Sequence, residues 1–187
     1  MAIETPEYEI LKKRNAFELR RYAPTLIAEV TVDGEDYRDA ASKGFRPLAN
    51  YIFGENTGTE KIAMTAPVMA ESAPEKIPMT APVMVSGEST YRVAFSMPSR
   101  YTLDTLPKPN DPRVSFRQLP ERTMAVICFS GPFNQRNFVK HLIRLQEWMM
   151  RSKLIAIGEP VIAGYDPPIL PWFLKHNEIM IEIKTSG

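Results

Sequence analysis

His141 and His176, the single cysteine Cys128, and the glutamates Glu159 and Glu178 are the residues of this 187-residue chain best suited to chemistry. Two histidines cannot build a histidine-rich metal centre. A heme iron can take one histidine but need not, and His176, beside Lys175 in an aromatic loop, is the best available metal ligand. His141 lies by the apolar stripe of a predicted helix and reads as structural or surface. Cys128 sits in the apolar run 124–129 and reads as a small core side chain. Glu159 and Glu178 flank the loop 166–177. As a catalytic pair they would need to lie within a few ångströms, one with a raised pKa; otherwise they are charges at exposed strand ends. The strings G-x-S-x-G, H-E-x-x-H, C-x-x-C, G-x-G-x-x-G and the P-loop are absent, and these are the spacings that would mark nucleophile, zinc or phosphate chemistry. The chain reads as a binding protein more readily than as an enzyme.

A flat apolar ligand with acidic edges needs an apolar slot, aromatic or methionine walls, and cations at the mouth. One predicted helix offers Phe45, Leu48 and Ile52, with Lys43 and Arg46 on its flanks. The loop 166–177 offers Trp172 and Phe173 with Lys175. These pieces suit such a slot, or equally a sealed core.

Several elements must position them. EKIAMTAPVM at 60–69 returns as EKIPMTAPVM at 75–84, differing only at Ala63 and Pro78. Each copy alternates in the manner of a strand, with Ile62, Met64, Ala66 and Val68 on one face and Ile77, Met79, Ala81 and Val83 on the other copy's. Pro67 and Pro82 consign both copies to sheet edges or bends. The methionines Met64, Met69, Met79 and Met84 fill an irregular core or line a pocket wall. Residues 8–14 and 17–22 predict a hairpin turning at Asn15-Ala16, and its basic residues, Arg20 and Arg21 among them, predict a solvated face. Strands follow at 26–32, 90–97, 161–165 and 178–183. A second hairpin is predicted from 113–119 and 122–130 around Pro120-Glu121. One helix begins after Asp33-Gly34-Glu35-Asp36, with Tyr37, Ala41, Phe45, Leu48 and Ile52 as its apolar face, Pro47 inside it and Gly54 closing it. The other spans 134–153.

Strands, helix, strands, repeated once, predict an α+β domain over residues 1–187. Two pseudo-symmetric repeats would form a curved antiparallel sheet or distorted barrel flanked by two long helices. The net charge of +1 gives no reason to expect a nucleic-acid partner. The lone cysteine, the acidic start and the absence of a long apolar run predict a soluble cytoplasmic protein, monomeric and without a membrane partner.

Four motifs in order carry a resemblance over roughly residues 8–183: the doubled I-x-M-T-x-P-V, GFRPLANYIFG at 44–54, LPKPNDPRV at 106–114, and GYDPP…NE at 164–178. Together they resemble the SOUL heme-binding family, and the doubled strand is similar to that of bacterial members. The resemblance implies heme or another tetrapyrrole as ligand, in a groove between the first helix and the loop after GYDPP. By position it implicates Ser42, Phe45 and Ala49 on the helix and Tyr165 to His176 on the loop. Relatives carry arginine and methionine where this chain has Ser42, Phe45 and Ala49, and two arginines where it has Lys175-His176. The fold is also similar to that of GyrI-like effector-binding domains, which implies the alternative of Glu178 as a pocket acid meeting a cationic or reactive small molecule.

Overall fold

The first strand of this protein is exposed along its whole length, and the chain builds inward from it. The computed structural model describes residues 4–72, 89–165 and 171–184. The described elements are β1 (Tyr8–Arg14), β2 (Phe17–Tyr22), β3 (Thr25–Gly34), α1 (Tyr37–Ile52), β4 (Val68–Ser72), β5 (Ser89–Ser96), β6 (Ser115–Leu119), β7 (Arg122–Phe129), α2 (Gln135–Arg151), β8 (Val161–Gly164) and β9 (Asn177–Glu182), with a 3-10 turn at Trp172–Leu174. The hairpin β1–β2 forms as its turn residues predict, Asn15 taking a φ of 55°. No helix among the described residues is long and apolar enough to cross a membrane.

The strands make one antiparallel sheet in the order β1-β2-β7-β9-β8-β4-β5-β3-β6. Two halves meet at the β4–β8 ladder. In one half β3 lies between β5 and β6; in the other, β7 lies between β9 and β2. The strand β2, from the N-terminus, thus takes beside β7 the place that β6 takes beside β3.

Two short links show how far this sheet curls. Only residues 23–24 join β2 to β3, and only 120–121 join β6 to β7, yet these strands lie near opposite ends of the order. Three extended residue steps reach about 10 Å, so the two ends must approach. The expected hairpin of 113–119 with 122–130 is therefore corrected: β6 pairs with β3 and β7 with β2 and β9, and Pro120-Glu121 crosses a seam instead of turning a ladder. Among the described residues no ladder closes that seam. The sheet is curled and open, where the sequence also allowed a closed barrel.

Alternation then assigns two faces. One is covered by the helices: Leu26, Ala28, Val30, Val93 and Phe95 pack with Leu48, Tyr51 and Ile52 of α1, while Ala125, Ile127, Ile179 and Ile181 pack with Phe138, Leu145 and Met149 of α2. No helix among the described residues covers the other, inner face, but the curl buries it. It carries Glu18, Arg20, Glu178, Met124 and Met180, all below 6% exposed.

The helix α1 starts at Asp36, whose side chain accepts the amide of Asp39 at 2.9 Å, and it runs unbroken through Pro47. Its buried face is Ala40, Gly44, Pro47, Leu48, Tyr51 and Ile52, so the face expected through Ala41 and Phe45 is rotated. Small residues set the approach: a Cβ on Gly44 would lie 2.5 Å from Cβ of Val93. The repeat also needs correction. Over 60–69 only Val68 and Met69 enter a strand, and Met64 is exposed; the second copy at 75–84 lies outside the described residues.

Candidate functional site

A groove of about 580 Å³ opens on the helix side, where the two halves join. Its volume lies in the range of small-molecule sites, ~300–1,000 Å³. The helix α1 presents Arg38, Ala41, Ser42 and Phe45, which share one side at spacings of three and four. Val68 and Gly164, partners in the β4–β8 ladder, sit at the junction. The opposite wall is Pro132, Phe133 and Asn134 just before α2, with Lys175 and Asn177 at the start of β9. Both groove phenylalanines are braced edge-on, Phe45 by Phe95 at 5.4 Å and Phe133 by Phe138 at 4.6 Å between ring centroids. Gly164 leaves bare backbone there; a Cβ on it would meet Phe133 at 3.3 Å.

Of the expected binding residues, the structure brings Ser42, Phe45 and Lys175 together at this groove. Leu48 and Ile52 point the other way, sealed in the core at 0% and 1% exposure, and Ala49 is buried too. Arg46 is exposed on α1 and Phe173 on the 3-10 turn, neither among the residues lining the groove. The side chain of Trp172 and residues 166–170 lie outside the described part. Sequence reading missed Arg38 and Phe133. Arg38 was open to detection as the position one turn before Ser42 and two before Phe45; Phe133 sits in a loop without periodicity.

Tyr165 and His176 belong to the inner face. Strand alternation separates them from Lys175 and Asn177, and both converge on Glu178. Glu178 Oε1 and Oε2 accept from the guanidinium of Arg20 at 2.8 and 2.9 Å, and the hydroxyl of Tyr165 donates to Oε2 at 2.7 Å. His176 Nε2 lies 2.9 Å from Oε1. Arg20 also donates to Glu18 at 2.6 Å and to Tyr22 at 2.9 Å, and stands 4.2 Å over the ring of Tyr8. Burial by itself would raise the Glu178 carboxyl, but hydrogen bonds from His176 and Arg20, with the arginine's charge, hold it at about 2. Arg20 is correspondingly raised: burial opposes its charge and Glu178 more than restores it. Cys128 donates to Glu178 Oε1 at 3.4 Å, and burial together with that carboxylate pushes its thiol up to about 12.

Two expectations are corrected here. Arg20 is not part of a solvated basic face, and Glu178 is no exposed strand-end charge; both are enclosed by the curl of the sheet. Glu159 is exposed. His141 is structural: its ring stacks on Phe129 at 4.0 Å, with Nδ1 2.8 Å from the carbonyl of Asn137. Ligand atoms of Cys128, His176 and Glu178 lie within 4.8 Å of one another, a set with the composition of a cation site. Arg20 already stands 3.3 Å from the sulfur and 2.8 Å from the carboxylate, so a metal ion there would have to displace a buried guanidinium.

Residues 3–182 match the family described as SOUL heme-binding protein. Heme-binding protein 1 of Xenopus laevis is 26% identical over 169 residues, covering 87% of this chain and 85% of the relative. Heme-binding protein 2 of Homo sapiens is 28% identical over 190 residues, covering 95% and 88%. The fold is similar to the crystal structure of the EcmrR C-terminal domain, with a TM-score of 0.66 at 11% identity, covering 96% of this chain and 99% of that one.

Proposed function

The chain belongs to the SOUL heme-binding protein family, and from that premise we propose that it binds heme or a related planar tetrapyrrole in the groove between α1 and the start of α2, as a carrier or buffer without catalysis. The observation that carries this reading is the groove itself, a volume of about 580 Å³ with two phenylalanines and two cations on its walls. A porphyrin supplies a broad apolar face and two carboxylates. Phe45, Phe133 and Val68 would hold the face by dispersion and exclusion of water, and Arg38 and Lys175 would pair with the carboxylates. None of the described residues lining the groove is histidine, cysteine, methionine or tyrosine, so the residues present fit the ring and its acids better than they fit the iron. We read the protein as a monomer of the cytoplasm, with a small molecule as its partner.

Titration with hemin tests this through the Soret band. Saturable binding is expected, weakened about tenfold by Phe45→Ala, the equivalent of ~1.4 kcal/mol. A linear, unsaturating response matching an unrelated globular control would sink the reading.

A second reading, an effector-binding domain or enzyme working through Glu178, is favoured by the burial of that acid. A cationic ligand would have to compete with Arg20 for the carboxylate. A Glu178→Gln variant that retained every ligand of the wild type would count against it.

A further inference from the structure

The inner face holds a second polar assembly, remote in sequence from Glu178 and used by neither reading above. Arg92 of β5, Arg117 of β6 and Arg122 of β7 line one small cavity of about 30 Å³ with Glu29 of β3 and Glu71 of β4, against an apolar wall that includes Met69, Met124 and Met180. Arg117 is committed to Glu29 by hydrogen bonds of 2.7 to 3.2 Å and approaches Glu71 at 3.5 Å. Arg92 pairs with Glu71 at 2.9 Å through one terminal nitrogen. That leaves three cations lining the cavity against two carboxylates.

The donors are not all used. Nε of Arg92 and Nε of Arg122 are both buried, and neither has a hydrogen-bond partner among the described residues. A buried N–H without an acceptor costs about 1–3 kcal/mol, and more for a charged group, so two of them on residues that line one cavity call for an acceptor there. The cavity is too small for a metabolite and exceeds the ~10–15 Å³ that one water-sized occupant needs. Burial lowers the pKa of Arg122, with Glu182 and Glu71 attracting its charge and Arg117 repelling it. Arg117, Arg92 and Glu71 keep part of their side chains in solvent, at 39%, 28% and 22% exposure, which gives an ion a way in.

We propose that this cavity is a binding site for one small monovalent anion of halide or formate size, held by Nε of Arg92 and Nε of Arg122. Its position gives it a structural consequence. Arg92 lies on β5, in the half of the sheet built on β3, and Arg122 opens β7, in the other half. An anion between these two arginines would tie the two halves together at one point across the inner face.

Thermal unfolding in sodium bromide against sodium gluconate at equal ionic strength, repeated with formate, tests the proposal on the whole chain. Bromide and formate are expected to raise Tm by about 3 °C in a saturating manner, through binding to the folded state alone, with gluconate, too bulky for the cavity, giving no such rise. Arg122→Gln is expected to abolish the difference between salts. Crystals soaked in bromide are expected to show an anomalous peak between the two Nε atoms, a measurement that needs no variant to fold. Equal Tm values in bromide, formate and gluconate, or an empty anomalous map at that place, would overturn the proposal.

Discussion

Glu178 is ionised in surroundings that would, by burial alone, keep a carboxyl protonated. Its folded value of about 2 lies below the ordinary 4.5, so its contribution to stability is complete above about pH 4.5 and is lost as pH falls toward 2. The shift corresponds to roughly 3 kcal/mol. The urea midpoint of the wild type should therefore fall across that window more steeply than that of Glu178→Gln, which should already be weaker at pH 7 by on the order of 1.5–3 kcal/mol because Arg20 keeps Glu18 but loses its charged bonds to Glu178. Equal pH profiles for the two proteins would contradict this account. His176 makes a separate case. Its Nε2 faces Glu178, across the sheet from the groove, so His176→Ala is expected to leave the Soret maximum of the hemin complex unmoved. A shifted maximum would show that the imidazole reaches the iron. Neither placement was legible from residue type. The strand β2 alternates Phe17 and Leu19 with Glu18 and Arg20, and a polar face reads as solvated until something folds over it.

The helix α1 shows the same division at the scale of an element. Its ends could be read from Asp36 and from Gly54, which takes a φ of 115° just past the last turn. Its orientation could not, because the expected face was weighted toward Phe45 and away from the small residues Ala40 and Gly44. Close approach to β5 favours the small ones. Gly44→Ala would gain about 1 kcal/mol of helix propensity but set a methyl 2.5 Å from Cβ of Val93, a contact beside the β5 backbone that a rotamer change cannot relieve. The overpacking term of about 1–3 kcal/mol should win. Chemical denaturation is expected to show a net loss, partly restored by adding Val93→Ala. A Gly44→Ala protein more stable than wild type would mean that α1 rides higher on the sheet than the structure has it. Rotation of the same helix turns Arg38, Ser42 and Phe45 outward as one wall of the groove.

Across the whole molecule, protection should follow position in the sheet. Native-state hydrogen exchange is expected to be fastest in β1, exposed along its length at one edge, and slowest in β7 and β9, paired on both sides and buried. Equal protection of β1 and β9 would indicate that the seam is closed by contacts from elsewhere. What the sequence by itself determined is local: strand and helix periods, the Asn15 turn, the Asp36 cap, two repeats of strand-helix-strand, and the four motifs that mark the SOUL family. Each depends on neighbours within a few residues. The tertiary structure alone decided that Pro120-Glu121 crosses a seam, that Arg20 and Glu178 meet from 158 positions apart inside the curl, and that Lys175 and His176, adjacent in the chain, serve opposite faces. The curl is a sum of small twists over the nine described strands, and no single one of them carries it.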